Sequence, residues 1–242
     1  MTLEIAVFNI TSAIQAQSAG ANRIELCENP FDGGTTPSYG TLKTTIEKIT
    51  IPVFPIIRPR GGDFLYNNEE LAVMKKDLLL IRQLGFQGAV LGLLNIDGAV
   101  DIEQTRRLVE LAYPLEITFH RAFDRAKNPL ESLEQVIDTG CARILTSGQR
   151  PNAGDGFDLI KELVRQADQR IVIVPGSGIR SSNLQKIIET GAEEFHSSAR
   201  KEINSAMKFK SSSMAETLMN ICVDEEEVKK MKTILQQNQL EN

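Results

Sequence analysis

Residues 115–147 read LEITFHRAFDRAKNPLESLEQVIDTGCARILTS. The stretch opens on one short apolar run, 115–120, and closes on another, 142–147. Between them lies an amphipathic segment that ends in Asp138-Thr139-Gly140-Cys141. Glycine takes the left-handed conformation without a Cβ penalty and so stops helices well, and the string reads strand, helix, cap, strand. The same order repeats outward in both directions. Strand candidates fall near 3–8, 22–27, 52–58, 88–94, 115–120, 142–147, 170–175 and 193–197, and further glycine stops stand at Gly20, Gly85 and Gly191. Apolar residues recur at helical spacing between the strands, as in Leu71, Met74, Leu78, Ile81 and Leu84, or Leu184, Ile187 and Ile188. Eight strand-helix units predict an α/β chain folded as a single (β/α)8 TIM barrel with a closed, parallel, eight-stranded sheet. An open dinucleotide-binding sheet ranks second, because Phe8-Asn9-Ile10-Thr11 stands where the spaced glycines of that fold would follow the first strand.

One domain spanning 1–242 accommodates this pattern, since α/β barrels routinely run to roughly 250 residues. Two connections are long for a plain barrel: 28–37 after the second strand, and 199–222, rich in Ser and Lys, after the eighth. A last helix is expected over about 224–238, with Glu225, Glu226 and Glu227 at the positive end of its dipole and Val228, Met231, Ile234 and Leu235 on one face. With 41% hydrophobic and 24% charged residues, disordered and collagen-like chains are excluded. A net charge of -5, with both signs well mixed, leaves no basic stripe for nucleic acid. No apolar run reaches the roughly 18 residues of a membrane span, and Glu4 interrupts any signal-peptide core, so a cytoplasmic protein is expected. Cys27, Cys141 and Cys222 are too scattered for a disulfide framework or a zinc knuckle.

Chemistry in parallel barrels comes from the C-terminal ends of the strands, where charged residues otherwise have no business. The second strand carries Glu25 and Cys27 on one face with Arg23. The third runs into Arg58-Pro59-Arg60-Gly61-Gly62-Asp63, whose guanidinium forks suit carboxylate or phosphate; the other reading, that one arginine pairs internally with Glu25 or Asp63, is compatible with the first, since such pairing would hold the other arginine in place. The fifth ends in His120-Arg121-Ala122-Phe123-Asp124, the sixth in Thr146-Ser147 and the eighth in His196-Ser197-Ser198. Both histidines of the chain thus stand at strand ends, suited to acid, base or ligand roles. Gly176 and Gly178 follow the seventh strand, before a helix N-terminus, either as a phosphate cradle or as a plain tight turn. The candidates are therefore Glu25, His120, Asp124 and His196 for catalysis, and Arg58, Arg60, Asp63, Arg121, Thr146, Ser147, Gly176, Gly178, Ser197 and Ser198 for ligand binding. Cys27 is the metal candidate, with a small buried hydrophobe as its other reading.

The strings Asn22-Arg-Ile-Glu-Leu-Cys27, Gly33-Gly-Thr-Thr-Pro-Ser38, Pro55-Ile-Ile-Arg-Pro-Arg-Gly-Gly-Asp-Phe64, Thr118-Phe-His-Arg-Ala-Phe-Asp124, Ile144-Leu-Thr-Ser-Gly148 and Glu194-Phe-His-Ser-Ser198 resemble the CutC copper homeostasis family. The resemblance runs from the first strand to the last helix. It implies a TIM barrel, a cytoplasmic location, a homo-oligomer, with a dimer first among the alternatives, and copper binding or tolerance. Members often carry thiols near the end of the first strand; Ala6-Val7-Phe8-Asn9 stands there in this chain, and only Cys27 matches. Copper(I) prefers two or more soft ligands. Two functions follow: a copper-handling protein using Cys27 with His120 or His196, or an enzyme acting on a small phosphorylated or carboxylated metabolite. No lysine ends a strand, which disfavours Schiff-base aldolase chemistry.

Overall fold

The computed structural model describes residues 1–215 and 217–240; residue 216, inside the expected 199–222 loop, and residues 241 and 242 lie outside them. Each of the eight expected strands is present: β1 (Thr2–Val7), β2 (Arg23–Leu26), β3 (Val53–Pro55), β4 (Gly88–Leu91), β5 (Glu116–Phe119), β6 (Arg143–Thr146), β7 (Val172–Pro175) and β8 (Glu194–Ser197). Helices α1 (Ile10–Ser18), α2 (Tyr39–Lys48), α3 (Asn68–Leu84), α4 (Ile102–Ala112), α5 (Pro129–Asp138), α6 (Phe157–Ala167) and α7 (Ser181–Ile188) alternate with them. Local chemistry sets the helix ends. Asn67 and Glu70 cap each other's backbone at the start of α3, and Gly85 ends that helix at φ 87°.

The ladders among these eight strands are parallel, but they form two four-stranded sheets, β3-β2-β1-β8 and β4-β5-β6-β7, in place of one continuous eight-stranded ladder. A single bridge, Ile56 to Val90, with Ile57 N–H donating to Val90 O at 2.7 Å, links the halves on the β3–β4 side. Strands as short as three or four residues leave few rungs at each junction, which is why a count of strands could not predict ladder continuity. The halves nevertheless share one interior. Arg143 of β6 bonds Glu194 of β8 at 3.0 Å, and Glu194 also accepts from Arg23 of β2. The Arg23 and Arg143 guanidinium groups lie over the Phe54 ring at 5.1 and 5.4 Å. Arg23 in turn holds Glu4 of β1. Buried charges are tolerated there because each is paired.

The apolar core surrounds this layer and runs from Leu3 of β1 to Leu235 of the last helix, α8 (Glu225–Leu240). In α3 the buried residues are Leu71, Met74, Leu78 and Ile81, and in α8 they are Val228, Met231 and Leu235, close to the faces expected from spacing. The segment 199–222 departs from its expected loop character. Its ends form an antiparallel hairpin of β9 (Arg200–Ile203) and β10 (Asn220–Val223). The apolar, partly β-branched run Ile221-Cys222-Val223 favours a strand, and Asn9 Nδ2 anchors it by donating to Ile221 O at 3.1 Å. This hairpin brings Arg200 to the cavity at the C-terminal ends of the strands.

Candidate functional site

The C-terminal ends of strands from both sheets open onto one cavity of about 560 Å3, lined among others by Ala6, Glu25, Ile56, Arg58, His120, Leu145, Gly178 and His196. Of the residues expected at the site, Glu25, Arg58, His120, Arg121, Asp124, Gly178, His196 and Ser198 line this cavity. Cys27, Arg60, Asp63, Thr146, Ser147, Gly176 and Ser197 are not among its lining residues, and their partners explain why.

Arg60 donates to Glu70 and, at 2.9 Å, to Asp63, so this arginine and Asp63 hold the loop after β3 to the start of α3. Thr146 Oγ1 donates to Asp124 Oδ1 at 2.6 Å, and Ser147 reaches the same carboxylate through its amide at 3.0 Å and its hydroxyl at 2.9 Å. Arg121 adds a 2.7 Å ion pair. Asp124 is thereby saturated and ties the 3-10 turn after β5 to the end of β6. Ser197 Oγ donates to Ile179 O at 2.7 Å and so braces the turn after β7. Gly176 is a packing position: a side chain there would collide with Leu145 and crowd His196.

Arg58 is buried and uses its terminal nitrogens on backbone carbonyls of Asp32, Gly34 and Gly62, pinning the 28–37 connection over the mouth. Neither Glu25 nor Asp63 pairs with it. Its Nε is buried with no hydrogen-bond partner among the described residues. The same is true of His120 Nε2. His120 Nδ1 accepts from the Ala122 amide at 3.2 Å, which places the ring proton on Nε2. Burial first, then the nearby Arg58 charge, push His120 down to about 3, so its ring is neutral at physiological pH.

His196 behaves in the opposite way. Burial disfavours its charge, but the 2.8 Å hydrogen bond to Glu4 and the Glu25 carboxyl 3.8 Å from Nε2 raise it above the ordinary imidazole value. Burial also raises Glu25, against the pull of His196. Cys27 sits behind Glu25, its Sγ donating to Oε2 at 3.5 Å, and burial together with that carboxyl pushes the thiol well above its usual range. Cys141 and Cys222 are buried elsewhere, and among the described residues no three His, Cys, Asp or Glu side chains are grouped to hold a metal ion.

The rim carries functional candidates that strand-end reasoning missed: Arg125, Arg180 and Arg200 all line the cavity. Arg180 Nη2 donates to Arg200 O at 2.7 Å, while the Arg125 and Arg200 guanidinium groups make no ion pair among the described residues. Beside them, Ser177 and Gly178 adopt successive left-handed conformations (φ 76° and 70°), and the amides of Gly178, Ile179 and Ser198 make no hydrogen bond among the described residues. Arg180, two residues beyond Gly178, was visible in sequence as a cation at the glycine turn.

Comparison with known proteins places this geometry among relatives. A model of the CutC family matches residues 1–201. The family protein CutC of Proteus mirabilis is 48% identical over 240 residues, covering 96% of each chain, and that of Edwardsiella ictaluri is 46% identical over 242 residues, covering 98% of this chain and 96% of its own. The crystal structure of the CutC protein from Streptococcus agalactiae superposes with a TM-score of 0.77 at 35% identity, covering 82% of this chain and 98% of that one. A thiamine phosphate pyrophosphorylase from Pyrococcus furiosus, at 16% identity and a TM-score of 0.61, shares the fold alone; it covers 98% of this chain and 96% of its own.

Proposed function

The chain belongs to the CutC family, and from that premise we propose that its barrel mouth binds a small phosphorylated or carboxylated metabolite. The observation that carries this reading is the surplus of donors around one cavity. Arg58, Arg121, Arg125, Arg180 and Arg200 are among the lining residues; the protein itself engages Arg58, Arg121 and Arg180, while Arg125 and Arg200 have no ion pair among the described residues. Arginine forks suit carboxylate and phosphate, and free amides around a glycine turn ahead of a helix favour negative charge. The two parallel sheets act in this reading as halves of one closed barrel, supported by the Ile56 to Val90 bridge and the Arg143 to Glu194 bond across them. A cytoplasmic location and a homodimer complete the proposal; among the described residues no helix is long and apolar enough to cross a membrane.

Thermal unfolding with phosphate or sulfate tests it. Each anion raises the melting temperature of the wild type, and the rise shrinks in Arg200→Ala. One exposed charge-assisted hydrogen bond corresponds to about a tenfold loss of affinity. An unchanged wild-type melting temperature with both anions rejects the reading. A second reading comes from the streptococcal relative, described as a copper homeostasis protein. Cys27 would supply one thiol, with Glu25 at 3.5 Å. A single buried thiol, held protonated by burial and a carboxyl neighbour, does not meet the preference of copper(I) for several soft donors, so the metabolite reading ranks first.

A further inference from the structure

His120 presents an unusual donor to the cavity. Its ring is fixed from three sides: Phe64 packs against it with centroids 4.9 Å apart, the Ala122 amide holds Nδ1, and any side chain on Gly92 would collide with it. Only Nε2–H lacks a protein partner among the described residues. A buried N–H without an acceptor is costly, and a ligand oxygen is the natural acceptor at a cavity wall. Burial first, then the nearby Arg58 and Arg121 charges, keep the ring neutral, so it donates without carrying charge.

The second element is Glu25 beside His196, with Glu4 behind them. Glu4 is 1% exposed and holds His196 Nδ1 at 2.8 Å, which turns Nε2 toward the Glu25 carboxyl 3.8 Å away. Glu25 and His196 both line the cavity, and burial raises the carboxyl above its ordinary value, which strengthens it as a proton acceptor. Cys27 lies outside the lining, and among the described residues no lysine lines the cavity, so the residues that face a ligand there offer proton transfer before nucleophilic attack.

We infer that the mouth catalyses proton transfer at a carbon adjacent to a carbonyl, with Glu25 moving the proton, His196 and Glu4 positioning it, and His120 Nε2–H holding the carbonyl oxygen. The inference rests on the anion-binding reading and names the substrate class: a small phosphorylated or carboxylated α-hydroxy aldehyde or ketone. The Glu25 carboxylate removes the α proton; the C–H electron pair becomes the C=C bond, and the carbonyl π pair moves to oxygen. That oxygen is stabilised by His120, whose neutral N–H is matched to an enolic oxygen. The α-hydroxyl proton passes to the former carbonyl oxygen, and the protonated Glu25 then returns its proton to the former carbonyl carbon, whose new C–H bond takes the C=C pair while the C=O bond re-forms at the α carbon. No oxidant or reductant is needed, and the product is an isomer of the substrate.

Three probes decide the matter, titrated calorimetrically into the wild-type chain with a metal chelator present. They are inorganic phosphate, glycerol 3-phosphate, which has no carbonyl, and phosphoglycolohydroxamate, a planar mimic of a phosphorylated enediolate. The inference expects the hydroxamate to bind at least about a hundredfold tighter than glycerol 3-phosphate, as transition-state mimics do. His120→Ala then loses that advantage and keeps its affinity for inorganic phosphate. Equal affinity for the hydroxamate and glycerol 3-phosphate overturns the inference while leaving the anion site standing. Failure of all three probes to bind overturns the anion site itself.

Discussion

Replacing Glu4 by Gln removes a buried charge that sits between Arg23 and His196. Burial alone would raise this carboxyl, but Arg23 and the hydrogen bond to His196 outweigh it and hold Glu4 at about 2, against an ordinary value of 4.5. A carboxylate lowered in this way contributes stability that is fully present above the unfolded value and lost as pH falls toward the folded one. The interval from 4.5 to about 2 corresponds to about 3 kcal/mol at 1.36 kcal/mol per pH unit. Removing one partner of a buried pair costs about 3–5 kcal/mol by a separate route, and the agreement sets the expectation at the lower end of that range. Urea denaturation at pH 7 measures the loss directly, and repetition at pH 3 checks its origin, since the variant has no carboxyl to protonate and falls less between the two conditions. His196 supplies an independent readout. Its own contribution is fully present below 6.5, the unfolded value, and is lost as pH rises through its elevated folded value, so Glu4→Gln lowers the imidazole titration midpoint followed by NMR. A variant within about 1 kcal/mol of the wild type at pH 7, with the His196 midpoint unmoved, refutes the reasoning.

Arg60→Ala leaves phosphate protection intact, because this arginine spends its donors on Glu70, Asp63 and nearby carbonyls outside the cavity; its partly exposed ion pairs are worth about 1 kcal/mol or less in denaturation experiments. A loss of phosphate binding in that variant contradicts the site described above. For copper, competition against a copper(I) chelator of known affinity is expected to strip the reduced protein, since Cys27 offers one protonated thiol next to Glu25. Retention of one equivalent by the wild type and its loss in Cys27→Ala support the copper reading instead.

Much of this architecture is written locally in the chain. Eight apolar runs, helix stops such as Gly85 and Gly140, and apolar spacing in α3 and α8 each act within a few residues, so the alternation of strand and helix could be read without coordinates. Period two also placed Glu25 and Cys27 on one face, and their side chains do meet. Family resemblance was legible in the same strings and is matched over residues 1–201. Partner choice was not legible, because it depends on residues far apart in sequence. Glu4 and His196 are separated by 192 positions, and nothing near Glu4 distinguishes a proton-positioning carboxylate from a strand impurity. Arg58 and Arg60 look interchangeable in sequence, yet one clamps a loop at the cavity wall and the other faces α3. Asp124 reads as a free acid until Thr146, Ser147 and Arg121 fold onto it. The hairpin that carries Arg200 to the rim, and the division of the ladders into two sheets, likewise arise only when distant strands pair. Local propensity determines which elements form; desolvation and long-range hydrogen bonding in the folded chain decide which charges are spent on structure and which remain free for a ligand.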